Sequence, residues 1–230
     1  TPDLTDWAAM VERSRHLEKE ADIALVGKYV ELHDSYLSVA EALKHGGIQN
    51  NARVHIHWLD SERITPENVV ETFRGMDGIL VPGGFGTRGV DGKIQAAKFA
   101  REQRLPYFGI CLGLQIAIIE FARNVLHMEG ASSTEFNPDT PYPVIDLMLD
   151  QKDVSDLGGT MRLGQYPCVL QEGSKAYAAY GKQLIFERHR HRYEVNNDYR
   201  DRLEKGGMRL CGVSPDQHIV EMIELVDHPW

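Results

Sequence analysis

From about residue 20 to residue 125 the chain alternates short apolar runs with stretches whose apolar residues recur every three or four positions. Ile23 to Val26 reads as a short buried strand, and Val54 to Leu59 alternates apolar and polar positions as a strand does. Gly78 to Pro82 and Tyr107 to Ile110 complete a set of four expected strands. Between them, His33-Asp34-Ser35 offers caps for a helix running to His45, with Gly46-Gly47 expected to end it. Thr65-Pro66-Glu67 suits a helix start, with proline at the first helical position. Two more helical patterns run from about Gly92 to Gln103 and from Leu112 to about Val125. Leu4, Trp7, Met10, Val11 and Leu17 among charges predict an amphipathic helix over residues 4 to 19, packed on something. Strand-helix alternation of this kind implies a parallel sheet covered by helices, with ligands at the carboxyl ends of the strands.

Beyond about Ala131 the pattern changes. Thr160 to Leu163, Cys168 to Leu170, Leu184 to Glu187, Leu210 to Val213 and Ile219 to Leu225 read as shorter strands with tight turns. They are expected to continue the same sheet, partly antiparallel. The fold class is therefore α/β: a mostly parallel central sheet flanked by helices, with antiparallel strands added in the C-terminal half. With no repeat, low-complexity tract or long linker, residues 21 to 230 form one domain, and residues 1 to 20 a helix packed on it.

Composition narrows the class. A formal net charge of −9 argues against general nucleic-acid binding, and no apolar run suits a membrane span or a signal peptide. Three cysteines, Cys111, Cys168 and Cys211, are an odd number without metal-like spacing, which points to free thiols in a reducing, cytoplasmic setting.

One of them carries candidate chemistry. Gly109-Ile110-Cys111-Leu112-Gly113 places a cysteine between two glycines, after a strand pattern and before a helical one. A nucleophile on a sharp strand-to-helix turn needs that context, with glycines where a Cβ would clash. The helix N-terminus would favour the thiolate. A small buried core cysteine is the alternative reading of the pentapeptide. Attack on a carbonyl also needs donors for the developing oxyanion. The turn offers the Leu112 N–H, and the glycines of Val81-Pro82-Gly83-Gly84-Phe85-Gly86 could offer a second. That loop could equally be a plain turn. The Lys-Ser/Thr of a P-loop is missing, which weakens a phosphate-cradle reading.

Pro82 to Gly86 and Gly109 to Gln115 resemble the two signature loops of class I (triad-type) glutamine amidotransferases. Val26-Gly27-Lys28-Tyr29-Val30, Glu41 to His45, Ser132 to Phe136, Gly158 to Gly164 and Glu187 to Glu194 narrow the resemblance to the C-terminal glutaminase domains of CTP synthases. It covers nearly the whole chain. The resemblance implies that Cys111 attacks the side-chain amide of L-glutamine, giving a thioester and ammonia. It implies that Gly84 and Leu112 supply the oxyanion-hole N–H groups. Gly113, Leu114, Gln115, Glu135 and Arg192 would join them around the substrate, a carboxylate near its ammonium and a cation near its carboxylate. Arg88 and Gly89 would belong to a lid answering nucleotide and effector, and the helix around Trp7 to the linker from a synthetase domain in cis. No cofactor is implied for this domain; ATP, UTP, Mg and a GTP effector belong to the complete enzyme.

The resemblance also leaves something unfilled. Such a mechanism needs a histidine, oriented by a carboxylate, as base and acid. The family carries it on a late His-Pro-Glu segment, about one strand after a His-Pro-Trp, and this sequence reaches only His228-Pro229-Trp230. His127-Met128-Glu129 has the right spacing but falls about 20 Å along the helix from Cys111 at 1.5 Å per residue. His218 and Glu221 are not in the motif either. The expectation is that a continuation carries the base and that these 230 residues alone hydrolyse glutamine weakly. His189 and His191 share a strand face, but no third ligand is suitably spaced for zinc, and a solvated basic patch with Arg192 reaching the pocket is expected there. A glutamine-binding regulatory module without catalysis is the rival reading. A γ-glutamyl hydrolase or DJ-1-like protein is a third, against which Arg188 to Tyr193 and Gly158 to Gly164 argue.

Overall fold

The computed structural model describes residues 2–147 and 162–229. Four strands, β1 (Lys19–Gly27), β2 (Ala52–Asp60), β3 (Gly78–Val81) and β4 (Tyr107–Gly109), pair in parallel in the order β2-β1-β3-β4. β3 is buried along its whole length, and Ala24 to Val26 of β1 are fully buried, as a central strand covered on both faces requires. Helices α2 (Leu37–Gln49), α4 (Val90–Gln103) and α5 (Leu112–Asn124) connect or follow these strands.

Three local expectations differ from what forms. The helix expected to stop at Gly46-Gly47 runs through both: a Cβ at Gly47 would meet the Ala52 carbonyl at 2.5 Å, so that glycine lets α2 lie close to β2. His33–Tyr36 is a separate 3-10 turn ahead of α2. The helix expected from Thr65 shrinks to α3 (Val69–Thr72), because Asn68 turns its side chain back to the Thr65 N–H and leads the chain in by a turn. At the N-terminus, α1 (Thr5–Arg15) buries none of its residues; Leu4, Trp7, Met10 and Val11 stay exposed while the helix touches α2.

The second half comprises β5 (Ser132–Ser133), β6 (Pro143–Leu147), β7 (Arg162–Leu170), α6 (Lys175–Tyr180), β8 (Leu184–His191), β9 (Tyr193–Val195), α7 (Arg200–Lys205), β10 (Met208–Val213) and β11 (Val220–Leu225). Among the described residues these strands do not continue the parallel sheet. They form an antiparallel sheet, β11-β10-β7-β8, and a small one, β5-β6-β9. The pieces expected at Thr160 to Leu163 and Cys168 to Leu170 belong to one long strand, β7; Gly158 to Met161 lie outside the described residues. What joins the halves is α5, apolar nearly all round. Its Ile116, Ile118, Ile119 and Phe121 share one core with Val144 and Ile145 of β6, Val195 of β9, Leu210 of β10 and Val220 of β11.

Candidate active site

Cys111 ends the β4 run and opens α5, at φ 56° and ψ −106°. A non-glycine residue at positive φ carries strain of about 1–3 kcal/mol, which surrounding structure must hold in place. Here the Ile110 N–H bonds the Val81 carbonyl at 2.9 Å, the Gly113 N–H the Ile110 carbonyl at 2.9 Å, and the Tyr107 hydroxyl the Gly113 carbonyl at 2.8 Å. A Cβ on Gly113 would meet the Val81 oxygen at 2.2 Å, and one on Gly109 the Gly113 backbone at 2.4 Å. Strand and helix therefore touch backbone to backbone, and the turn throws the Cys111 side chain out of the strand line.

The Leu112 and Gly84 N–H groups both reach the Cys111 sulfur. Gly83 packs on the same side chain: a Cβ there would lie 3.3 Å from Cys111 Cβ. Electrostatically, the helix N-terminus does not win. Burial pushes the thiol up from its ordinary range, the two N–H groups pull it down, and the Glu194 and Glu135 carboxylates push it up further. Burial thus works against the thiolate that the turn was expected to favour. Cys111 opens on a cavity of about 650 Å³ whose wall also includes Leu114, Gln115, Tyr193 and Glu194. The other thiols, Cys168 and Cys211, are buried, and burial pushes each up to about 12.

The remaining expected residues gather nearby with partners of their own. Gln115 is buried, and its Nε2 donates to the Tyr193 carbonyl at 3.0 Å, tying α5 to β9. Glu135, on the turn after β5, accepts the Gly86 N–H at 2.7 Å and so anchors the glycine loop from across the site. Arg192 lies between β8 and β9, its buried Nε without a hydrogen-bond partner among the described residues. Gly84, Glu135 and Arg192 are not on the wall of the large cavity. The loop is also tethered from β1, where Lys28 Nζ donates to the Phe85 carbonyl. Arg88 pairs with Glu62 at 3.6 Å and sits 5.3 Å from the Tyr29 ring. Gly89, at φ 71°, turns the chain into α4.

The Glu187 to Glu194 segment is only in part the solvated basic patch expected. Strand alternation sends Arg188 and Arg190 outward and His189 and His191 inward. There Arg162 of β7 pairs with Glu221 of β11 at 2.6 Å and with Glu194 of β9 at 3.1 Å. Its Nη2, which also donates to Glu221 at 2.9 Å, lies 3.2 Å from His189 Nδ1 and 3.4 Å from His191 Nδ1, and the two Nδ1 atoms face each other at 3.3 Å. Burial pushes both histidines down to about 4, with Arg162 adding to each. Burial pushes Glu194 up to about 7, against the pull of Arg162. Glu194 and Arg162 were missed in sequence because their partners lie 32 and 59 residues away; alternating charges in Glu187 to Glu194 were the available signal.

The three histidine candidates are placed with other partners, although His228 shares the cavity wall with Cys111. His228 is buried with Nε2 against the Ala100 carbonyl at 3.0 Å, His127 follows the end of α5, and the His218 N–H bonds Asp216. Among the described residues no group of three or more His, Cys, Asp or Glu could hold a metal ion, and no helix is long and apolar enough to cross a membrane.

A strained cysteine elbow and a glycine loop make a candidate site for thiol chemistry on an α/β scaffold. The model of class-I glutamine amidotransferases matches residues 31–229, and the chain belongs to that family. It is 59% identical over 228 residues to the CTP synthase of Geobacillus kaustophilus, covering 99% of this chain and 43% of that protein. Against the CTP synthase of Clostridium kluyveri identity is 60%, over 99% and 42%. The solved glutaminase domain of Trypanosoma brucei CTPS, with bound acivicin, is similar at a TM-score of 0.85 and 38% identity, over 91% of this chain and 83% of that one. The chain thus spans less than half the length of these curated relatives.

Proposed function

We propose that this chain is the glutaminase unit of a CTP synthase-type enzyme, with Cys111 as its nucleophile. The convergence of the Leu112 and Gly84 N–H groups on the Cys111 sulfur carries the reading. The sulfur attacks the side-chain carbonyl carbon of L-glutamine, and the oxyanion that forms lies among donors already fixed by the fold. The C–N bond breaks, the amide nitrogen takes a proton and leaves as ammonia, and water hydrolyses the γ-glutamyl thioester to glutamate. Arg192, with its unpaired buried Nε, suits the substrate carboxylate, and Glu135 its ammonium. Gly113, Leu114 and Gln115 shape the wall between them. Arg88 and Gly89 belong to a lid over this pocket.

The base and acid come from a segment that follows in the longer polypeptide. Two features support this. The described histidines on the cavity wall are engaged elsewhere, His189 and His191 with Arg162 and His228 with the Ala100 carbonyl. The large cavity lies between β4 and β11, the outer strands of their sheets among the described residues. A strand added along such edges would bring its following loop to the nucleophile. The released ammonia then serves a cytoplasmic synthetase domain in cis, which uses ATP and Mg to aminate UTP to CTP under a GTP effector. The domain itself needs no cofactor.

Treating the protein with acivicin and locating the adduct by mass spectrometry tests the central assignment. Modification at Cys111, slowed by L-glutamine, is expected; labelling at Cys168 or Cys211 instead would overturn it. Ammonia release with and without the residues that follow Trp230 tests the base, and equal rates would refute that part. If labelling occurs but the longer polypeptide releases no ammonia, the rival reading holds: a glutamine-binding module that has lost catalysis.

A further inference from the structure

Gly109 and Gly113 bring β4 and α5 close together without fixing how one lies along the other. A Cβ on Gly109 would lie 2.4 Å from the Gly113 carbonyl oxygen, so the surfaces that meet there are bare backbone. Such a contact has no side chains to interlock and set a register. Yet Cys111, between the two glycines, is held at φ 56° and ψ −106°, and strain of that kind persists only where the surroundings over-determine it. Two backbone bonds do part of this, from the Ile110 N–H to the Val81 carbonyl and from the Gly113 N–H to the Ile110 carbonyl, both at 2.9 Å. The far end of the Gly113 residue is held by a side chain. Tyr107, four residues before the nucleophile, donates its hydroxyl to the Gly113 carbonyl at 2.8 Å. Its ring packs against two cores at once, that of Ile116 and Ile119 on α5 and that of Val26 and Val81 under the parallel sheet. A ring wedged from both sides has little freedom to follow a shifting helix. Burial, with Glu120 adding to it, pushes the hydroxyl up from its ordinary range, so it remains a donor wherever a thiol titrates.

We propose that Tyr107 is a positioning residue for the nucleophile: its hydroxyl pins the first turn of α5 to β4 and so keeps Cys111 in its strained, outward conformation. This rests on Cys111 being the nucleophile. Without the bond, the turn can draw away from β4 and Cys111 can relax towards ordinary backbone angles. Its side chain then leaves the place beside Gly83 where it now packs, and the N-terminal N–H groups of α5 no longer face the sulfur. The thiolate loses stabilisation, and so does the oxyanion that forms on attack. Tyr107 acts through the backbone and exchanges no proton with the substrate.

The test is Tyr107→Phe, which keeps the ring in both cores and removes only the hydroxyl. Cys111 alkylation by iodoacetamide, read site by site by mass spectrometry across pH, should slow roughly three- to tenfold at pH 8, with the profile moved to higher pH. In the longer polypeptide, ammonia release from L-glutamine should fall in kcat with KM little changed, since the amino-acid end of the substrate is held elsewhere. A role confined to stability would leave the rate and the profile of the folded protein where they are. Ile185→Val is the comparison: it trims the separate core of Cys168 and Leu170 and should label along the wild-type profile. Should Tyr107→Phe fold poorly, hydrogen exchange in the wild type decides. The Leu114 and Gln115 amides, which donate to the Cys111 carbonyl at 3.1 and 3.3 Å, should exchange as slowly as those of Ile118 and Ile119 in the middle of the helix. Exchange at the rate of a fraying helix end would overturn the pinning. A Tyr107→Phe profile equal to the wild type in rate and position would also overturn it, while leaving the nucleophile assignment intact. A wild-type Cys111 that stays unlabelled at every pH would overturn both.

Discussion

Adding one methyl group at Gly113 tests the geometry of the elbow most directly. The new Cβ would lie 2.2 Å from the Val81 carbonyl oxygen, a backbone atom of the central strand β3. That oxygen accepts the Ile110 N–H at 2.9 Å, so moving it breaks a hydrogen bond beside the nucleophile. Overpacking against atoms that cannot swing away costs about 1–3 kcal/mol, and the lost bond about 1 kcal/mol. Alanine's better helix propensity returns at most about 1 kcal/mol. Gly113→Ala should therefore lose roughly 2 kcal/mol in urea unfolding and slow Cys111 alkylation at the same pH. Gly46→Ala is the internal comparison: it is exposed in α2 with nothing within 4 Å of the added Cβ, so propensity acts alone. It should gain about 0.5–1 kcal/mol. Wild-type stability in Gly113→Ala, or a loss in Gly46→Ala equal to that in Gly113→Ala, would refute the steric argument.

Arg101→Met should cost about 3–5 kcal/mol, because it strands the buried carboxylate of Glu120, which Arg101 now holds through contacts of 2.7 to 3.1 Å. Adding Glu120→Leu should recover most of that loss in thermal unfolding, and no recovery would sink the explanation. Acid should destabilise the protein through the Arg162 cluster. His189 and His191, pushed down to about 4 in the fold, bind protons only on unfolding between pH 4 and 6.5, so their contribution falls as pH falls through that window. Glu194, pushed up to about 7, acts oppositely: its contribution is fullest below pH 4.5 and is lost as pH rises towards 7. Two groups outweigh one, so this cluster should cost about 3 kcal/mol between pH 6.5 and 4.5. His191→Gln should remove most of that slope, and an unchanged slope would count against it. At the glycine loop, Gly83→Ala should slow Cys111 alkylation because its Cβ would press on Cys111 Cβ at 3.3 Å. Gly84→Ala, with ordinary contacts to Leu112 at 3.4 Å and Lys28 at 3.6 Å, should label near the wild-type rate; the reverse order would contradict the packing.

The parallel half was legible because its determinants are local. β1 to β4 announce themselves by apolar runs of four to six residues, and Gly109 and Gly113 by their spacing of four residues about the cysteine. Gly46-Gly47 misled for the opposite reason: Gly47 is required by the Ala52 carbonyl of the next strand, a contact the periodicity of α2 does not show. Likewise β9 is three residues long and partly charged, and it is held by β6 and Gln115 from far along the chain. The candidate site divides in the same way. Cys111 and the glycine loop carry short spacings that sequence displays. The upward push on the thiol comes first from burial and then from Glu194 and Glu135, which only the folded chain creates.

The backbone twist at Cys111 restricts what could ever replace it. At φ 56° and ψ −106°, a β-branched side chain would collide with its own peptide groups, so threonine could bring a hydroxyl to this position only by unwinding the start of α5. Serine fits the twist, and the choice of sulfur over oxygen here is therefore one of reactivity, made among the few side chains the corner admits.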